Sequence, residues 1–214
     1  EAAGRRGRSA ADVRLIGVTK YVGVETARLI LDAGCSDLGE SRPQQLCEKA
    51  EALSTTQVAW HLVGPLQRNK IRRTLPHVSL VHSVDREATL IAIDRIAGEL
   101  ELRCDVLLEV NISGDETKHG LAKDSVLPVL HSAAALENVR VRGLMTMAAR
   151  EGDSDVARRN FSDLRQLRDQ LVSSTPASFL LPELSMGMSN DFEIAIEEGA
   201  TMVRVGSLLL EGID

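Results

Sequence analysis

One pattern constrains the fold of this chain more than any other: two kinds of segment alternate along its whole length. Short apolar runs rich in β-branched residues are each followed by a stretch of helical period. The first run is Arg14 to Thr19 (RLIGVT), followed by a helix carrying Val24, Ala27 and Leu31 with a stop at Gly34. A very short strand fits Asp37 to Gly39, and Pro43 suits the first turn of a helix reaching Leu53. A third strand, Val58 to Val63, ends at Gly64 and leads into a short basic helix over Gln67 to Thr74. The fourth, Leu80 to Ser83, precedes a helix that Asp85 can cap and that carries Leu90, Ile93 and Ile96. The fifth, Asp105 to Asn111, is followed by a polar loop (Ser113 to Gly120) and a helix from Asp124 to Ala135. The sixth is Val139 to Met145, with a long helix from Asp153 to Ser173. A brief seventh strand lies near Glu183 to Ser185. Ser189 or Asn190 then caps the next helix, with Glu193 completing a capping box, and that helix stops at Gly199. The eighth strand is Thr201 to Val205.

Strict strand–helix alternation implies a parallel sheet, and eight units favour closure into an α/β (β/α)8 TIM barrel. Runs such as VLLEV and MVRVG are nearly continuous in apolar character, as strands covered on both faces require. On pattern alone an open, doubly wound sheet remains the alternative. A chain of 214 residues is within the range of one domain. The expected organisation is a flexible arm over residues 1–12 and a single barrel over 13–214.

Bulk properties remove several classes of function. A formal net charge of -6 and only 2% aromatic residues argue against nucleic-acid binding, which needs a basic face and stacking platforms. The basic run Arg68 to Arg73 reads as a solvated face. No apolar run approaches the roughly 20 residues needed to span a bilayer. Arg5, Arg6 and Arg8 are not followed by an apolar segment, so no secretory signal is read there. The three cysteines have neither metal nor redox spacing, so no metal site is expected, and reduced thiols fit a cytoplasmic location.

Chemistry in such barrels collects at the C-terminal ends of the strands. There the sequence offers Lys20, Glu40, Ser41, His61, His82, Ser83, Asn111, Met145, Thr146, Ser185, Ser189, Gly206 and Ser207. Lys20 directly follows an apolar strand, where its side chain can point into the mouth. A desolvated lysine tends to lose its proton, and the neutral amine forms Schiff bases. The plainer reading is a lysine whose stem packs while its head reaches water. Ser189 at a helix start and Gly206-Ser207 after the last strand could hold an anion between the final two loops. They could equally be a helix cap and a structural glycine. Arg204 inside the last strand requires a partner, either a carboxylate such as Glu109 or an acceptor within the barrel. His61 could line the site or be a satisfied core histidine. The Asp-Glu-Thr-Lys-His loop, 115–119, reads as surface.

These segments resemble the YggS/PROSC family of pyridoxal 5'-phosphate (PLP) homeostasis proteins from Arg14 to Gly206, in order and spacing. The resemblance is carried by Val18-Thr19-Lys20, Asp37-Leu38-Gly39-Glu40, Trp60-His61-Leu62-Val63-Gly64 and Leu66-Gln67-Arg68-Asn69-Lys70. It continues through His82-Ser83-Val84-Asp85, Val110-Asn111-Ile112-Ser113, Arg142 to Met147, Leu184 to Ser189 and Val203 to Ser207. It implies a barrel like the N-terminal domain of alanine racemase. On this resemblance Lys20 falls on the PLP lysine, Arg204 on the arginine facing the pyridine nitrogen, and Ser189, Gly206 and Ser207 on the phosphate positions. Ser185 joins the cofactor-binding set, as does Ser41, which stands where the family usually has asparagine. Ser207 replaces a threonine and keeps the hydroxyl.

The resemblance implies a PLP carrier, in monomeric or weakly dimeric form, that could supply PLP-dependent apo-enzymes and contacts neither nucleic acid nor membrane. The residues favour a carrier over an enzyme. A permanently charged guanidinium at the ring nitrogen discourages its protonation and weakens the electron sink. Racemisation needs acid–base groups on both faces of the substrate carbon. The one tyrosine, Tyr21, adjoins Lys20 and points away from it in a strand. A PLP-dependent amino-acid racemase is the alternative, and no catalytic residue is assigned.

Overall fold

The computed structural model describes residues 1–115, 117, 119–149, 153–175 and 179–212. Its eight strands form one closed parallel barrel in chain order. They are β1 (Arg14–Val18), β2 (Asp37–Glu40), β3 (Ala59–Leu62), β4 (Leu80–Val84), β5 (Cys104–Glu109), β6 (Val139–Met145), β7 (Glu183–Ser185) and β8 (Met202–Val205). The helices are α1 (Val24–Asp32), α2 (Pro43–Ala52), α3 (Ile71–Thr74), α4 (Glu87–Glu99), α5 (Val126–Ala133), α6 (Ser154–Ser174) and α7 (Phe192–Glu197). Pairing of β1 with β8, from Arg14 opposite Met202 to Gly17 opposite Val205, closes the barrel and eliminates the open-sheet alternative.

Period-two alternation sorts the strand residues into two cores. Leu38, Leu62, Val81, Leu108, Leu144, Leu184 and Val203 face outward and pack with helix residues such as Leu46, Ile93, Leu130 and Phe161. Ile16, Leu80, Leu107, Met145 and Met202 form a smaller, separate cluster. These five plug the barrel interior.

The structure departs from the sequence reading at the helix starts. Asp85 does not cap α4. Its N-cap is Arg86, which makes no side-chain cap bond but ion-pairs with Asp85 at 2.7 Å. Neither Ser189 nor Asn190 caps α7, which starts behind Asp191. The Asp191 carboxylate instead accepts from Met188 N–H at 2.6 Å, closing a tight turn before the helix. The basic segment is a 3-10 turn, Arg68–Lys70, followed by the single turn of α3. Of the 115–119 loop, Glu116 and Lys118 lie outside the described residues, as do the last two residues of the chain.

Residues 1–12, expected as a flexible arm, form two 3-10 turns laid against α7. Arg5 bridges Glu193 and Glu197 at 2.6 and 2.7 Å, and Arg8 donates to the carbonyls of Ile196 and Ala200 at 3.1 and 2.8 Å. Ala2 and Ala3 are buried. The cause is the acidic run on α7. Glu197 and Glu198 draw in Arg158 from α6 as well as arginines of the arm.

Candidate functional site

β1 sets the mouth. Its interior-facing row, Ile16 and Val18, points toward Lys20 one step beyond the ladder. The backbone is still held there by Thr19 N–H to Gly39 carbonyl at 2.9 Å. A turn closed by Val22 N–H to Thr19 carbonyl at 3.1 Å then carries the chain away. Lys20 is exposed, and its Nζ lies 4.8 Å from the ring centroid of Tyr21, itself 84% exposed. The expected desolvated amine is therefore a solvent-facing amine at the rim.

The end of β8 lies directly beside this turn. A side chain on Gly206 would meet the Val18 carbonyl oxygen at 3.2 Å, so the two backbones are in contact there. The Gly206 and Leu208 N–H groups both donate to the Ser189 hydroxyl at 3.3 Å. Ser189 thus reaches across to the loop after β8 instead of back to its own helix. The Ser189 hydroxyl, the two N–H groups paired with it and the adjacent exposed Ser207 form a small polar cradle.

Arg204 occupies the interior below this cradle and is almost completely buried. Its Nη1 donates to Ser185 Oγ at 2.6 Å and its Nη2 to the Thr146 carbonyl at 3.0 Å. Of the two partners expected for Arg204, the structure shows acceptors within the barrel and no direct Glu109 ion pair. Burial pulls its pKa down to about 10, against the attraction of Glu109 and Asp191, so it stays charged at neutral pH. Burial pushes Glu109 up, as does Asp85, with Arg204 opposing.

Ser185 is fully buried, and its hydroxyl also meets His82 Nδ1 at 2.9 Å. His82 Nε2 lies 2.9 Å from His61 Nδ1, and His61 Nε2 lies 2.9 Å from Asp37 Oδ1. Both imidazoles are interior, so His61 is a satisfied core histidine and not a residue of the rim. Burial above all, reinforced by the Arg204 and Arg14 charges, drives His82 well below its ordinary value of 6.5. The unfolded chain therefore takes up this proton before the folded one. Stability contributed by neutral His82 is complete above about pH 6.5 and falls as pH drops below it, by up to about 1.4 kcal/mol per pH unit. Urea unfolding at stepped pH checks this, and His82→Gln should remove that component of the slope.

A second buried ensemble supports the Lys20 turn from outside. Glu40, at the end of β2, is fully buried and ion-pairs with Lys49 of α2. Lys49 Nζ also donates to the Thr19 carbonyl at 2.7 Å, and the Thr19 hydroxyl donates to Glu40 Oε1 at 2.7 Å. Glu40 Oε2 has no hydrogen-bond partner among the described residues. Lys49 escaped the sequence reading because it lies in a helix, away from the strand ends. The available signal was a lysine on the face shared by Leu46, Ala50 and Leu53.

Ser41 is half-buried beside Gly64. A Cβ on Gly64 would overlap the Ser41 carbonyl oxygen and its carbonyl carbon. Glycine is required there so that the ends of β2 and β3 can approach. Gly64→Ala is expected to cost about 2–4 kcal/mol by forcing the Ser41 backbone aside, measurable by thermal unfolding.

The structure thus brings Lys20, Ser189, Gly206 and Ser207 to one mouth with Arg204 beneath them. Ser185 lies a layer deeper, engaged by Arg204, and Ser41 lies on the adjoining β2 edge.

Residues 5–212 match the family model described as alanine racemase, N-terminal domain. The chain is 40% identical over 205 residues to a pyridoxal phosphate homeostasis protein of Aquifex aeolicus, covering 96% of this chain and 89% of that one. Among solved structures it resembles PipY of Synechococcus elongatus PCC7942 with PLP bound. The TM-score is 0.88 at 33% identity, over 98% of this chain and 99% of that one. An alanine racemase of Clostridium difficile shares the fold at a TM-score of 0.77 and 17% identity, matched over 54% of its length.

Proposed function

We propose that this chain, which belongs to the family of pyridoxal phosphate homeostasis proteins, carries pyridoxal 5'-phosphate at its barrel mouth and releases it to apo-enzymes that require it. The observation that carries this reading is the meeting of the Lys20 turn with the Ser189, Gly206 and Ser207 cradle, above a buried Arg204. When bound, the cofactor supplies an aldehyde that condenses with a primary amine, a phosphate and a pyridine nitrogen. Lys20 is the amine. Ser189, Ser207 and the Gly206 N–H hold the phosphate, and Arg204 faces the ring nitrogen. Ser185 acts by holding Arg204, and Ser41 flanks the ring edge.

Carriage suits these residues better than turnover. Arg204 keeps its charge at neutral pH, and a fixed cation there opposes protonation of the ring nitrogen. Tyr21 adjoins Lys20 at the rim and does not face it across the mouth, so no second acid–base group opposes the lysine from that residue. The exposure of Lys20 favours exchange with other amines. Three free thiols, Cys35, Cys47 and Cys104, suit a reducing cytoplasm. No helix among the described residues is long and apolar enough to cross a membrane.

The test is borohydride reduction of the PLP-saturated protein followed by peptide mass mapping. A pyridoxyl group on Lys20 is expected. A label confined to other lysines, or none, overturns the assignment. Incubating unreduced PLP-saturated protein with single amino-acid enantiomers in deuterated water should give no sustained exchange at Cα. Steady exchange would establish the racemase alternative.

A further inference from the structure

We propose that Asp37, His61, His82 and Ser185 are positioning residues that orient the Arg204 guanidinium through a one-way chain of hydrogen bonds along the barrel interior. The chain joins five strands: Asp37 on β2, His61 on β3, His82 on β4, Ser185 on β7 and Arg204 on β8. It begins at the closed end of the barrel, where Asp37 retains partial exposure and Arg14 approaches it to 3.8 Å. It ends below the mouth.

The direction follows from the two termini. A guanidinium can only donate and a carboxylate can only accept. Ser185 Oγ accepts from Arg204, so its own proton is free to go to His82 Nδ1. Asp37 accepts from His61 Nε2–H. With both rings neutral, the remaining 2.9 Å contact has one solution: His82 Nε2–H donates to His61 Nδ1. Every donor then has an acceptor, and both histidines are Nε2–H tautomers. A doubly protonated His61 would reverse the His82 tautomer and add a second positive charge to an interior that holds Arg204. The neighbouring charges oppose or complete this arrangement as expected. Arg14 stands at the Asp37 end, itself 3.9 Å from Glu183 of β7, while Glu109 of β5 and Asp191 attract Arg204. Asp37 is raised by burial, but the His61 bond and the Arg14 charge outweigh this and hold it below its ordinary value.

The consequence at the mouth depends on the carrier reading above. Ser185 occupies Nη1 and the Thr146 carbonyl occupies Nη2, which fixes the guanidinium plane presented to a ring nitrogen. A change two links away should therefore reach the cofactor.

Two measurements test the chain. In the cofactor-free protein at about pH 8 to 9, nitrogen–proton correlation of ¹⁵N-labelled rings should show His61 and His82 as Nε2–H tautomers. An Nδ1–H tautomer at either ring overturns the proposal. In the PLP-loaded protein, His61→Leu removes a link that touches neither Arg204 nor the mouth. It should move the pH midpoint of the bound cofactor's visible absorbance by about one unit. His61→Asn, which keeps an acceptor near the place of Nδ1, should restore it. A folded His61→Leu protein with an unmoved midpoint also overturns the proposal, and if that variant does not fold, the ring tautomers decide. Failure of wild type to label at Lys20 would refute the carrier reading and leave the tautomer result standing.

Discussion

Replacing Lys20 with alanine is expected to abolish the borohydride-fixed pyridoxyl group while changing the unfolding free energy by no more than about 1 kcal/mol. The two effects separate because Lys20 is exposed and its head rests on the exposed face of Tyr21. Little packing is lost, but the amine is. The anion cradle is untouched in this variant, so the protein should still bind PLP weakly and reversibly. Ser189→Ala gives the complementary pattern. It removes the hydroxyl on which the Gly206 and Leu208 N–H groups converge. Labelling at Lys20 should persist, but the cofactor concentration needed for half-saturation should rise about tenfold, the equivalent of one lost hydrogen bond of about 1.4 kcal/mol. Intact-mass analysis after reduction, across a PLP titration, measures both. Undiminished labelling in Lys20→Ala would remove Lys20 from the site.

Lys49→Met should be the most destabilising single change near the site, costing about 3–5 kcal/mol. The substitution leaves Glu40 buried without its cation and the Thr19 carbonyl without its donor. In a domain of this size that loss corresponds to a fall of roughly 6–20 °C in Tm. The cost comes from the stranded carboxylate more than from the value of the pair. The double variant Lys49→Met with Glu40→Leu should therefore recover most of the stability, since a buried ion pair is often no better than an apolar replacement. It should not recover full labelling at Lys20, because neither new side chain can hold the Thr19 carbonyl. Denaturant unfolding of the two singles and the double forms the required cycle. A loss below about 1 kcal/mol in Lys49→Met would mean that water reaches Glu40 readily and that the pair does not brace the turn.

The strand order and the site residues were legible for different reasons. β6 and β7 begin and end where their apolar runs do, because outward residues such as Leu144 and Leu184 must meet helices. β3 is one residue shorter than its run at each end, and β8 lacks only Thr201 at its start. The capping assignments failed at α4 and α7, where Asp85 found Arg86 and Ser189 found the loop after β8. At α4 the competing partner is the very next residue, but for Ser189 a local rule cannot anticipate a partner about twenty residues away that becomes a neighbour only when the barrel closes. The N-terminal arm shows the same effect over a greater distance, since Arg5 and Glu193 are 188 residues apart in the chain.

The sequence by itself determined the alternation of elements, the parallel sheet, the placement of Lys20 after the first strand and of Arg204 within the last, and the family to which the motifs belong. Those features depend on periodicity and on residues close in the chain, where apolar spacing and backbone chemistry act directly. Tertiary structure alone decided that Lys20 is exposed at the rim, that Lys49 lies buried beneath its turn, and that two histidines link Asp37 to Arg204. Each of these depends on which side chains meet across the closed barrel. Burial then drives polar groups inside to find partners on other elements of the fold, a requirement that no local pattern records.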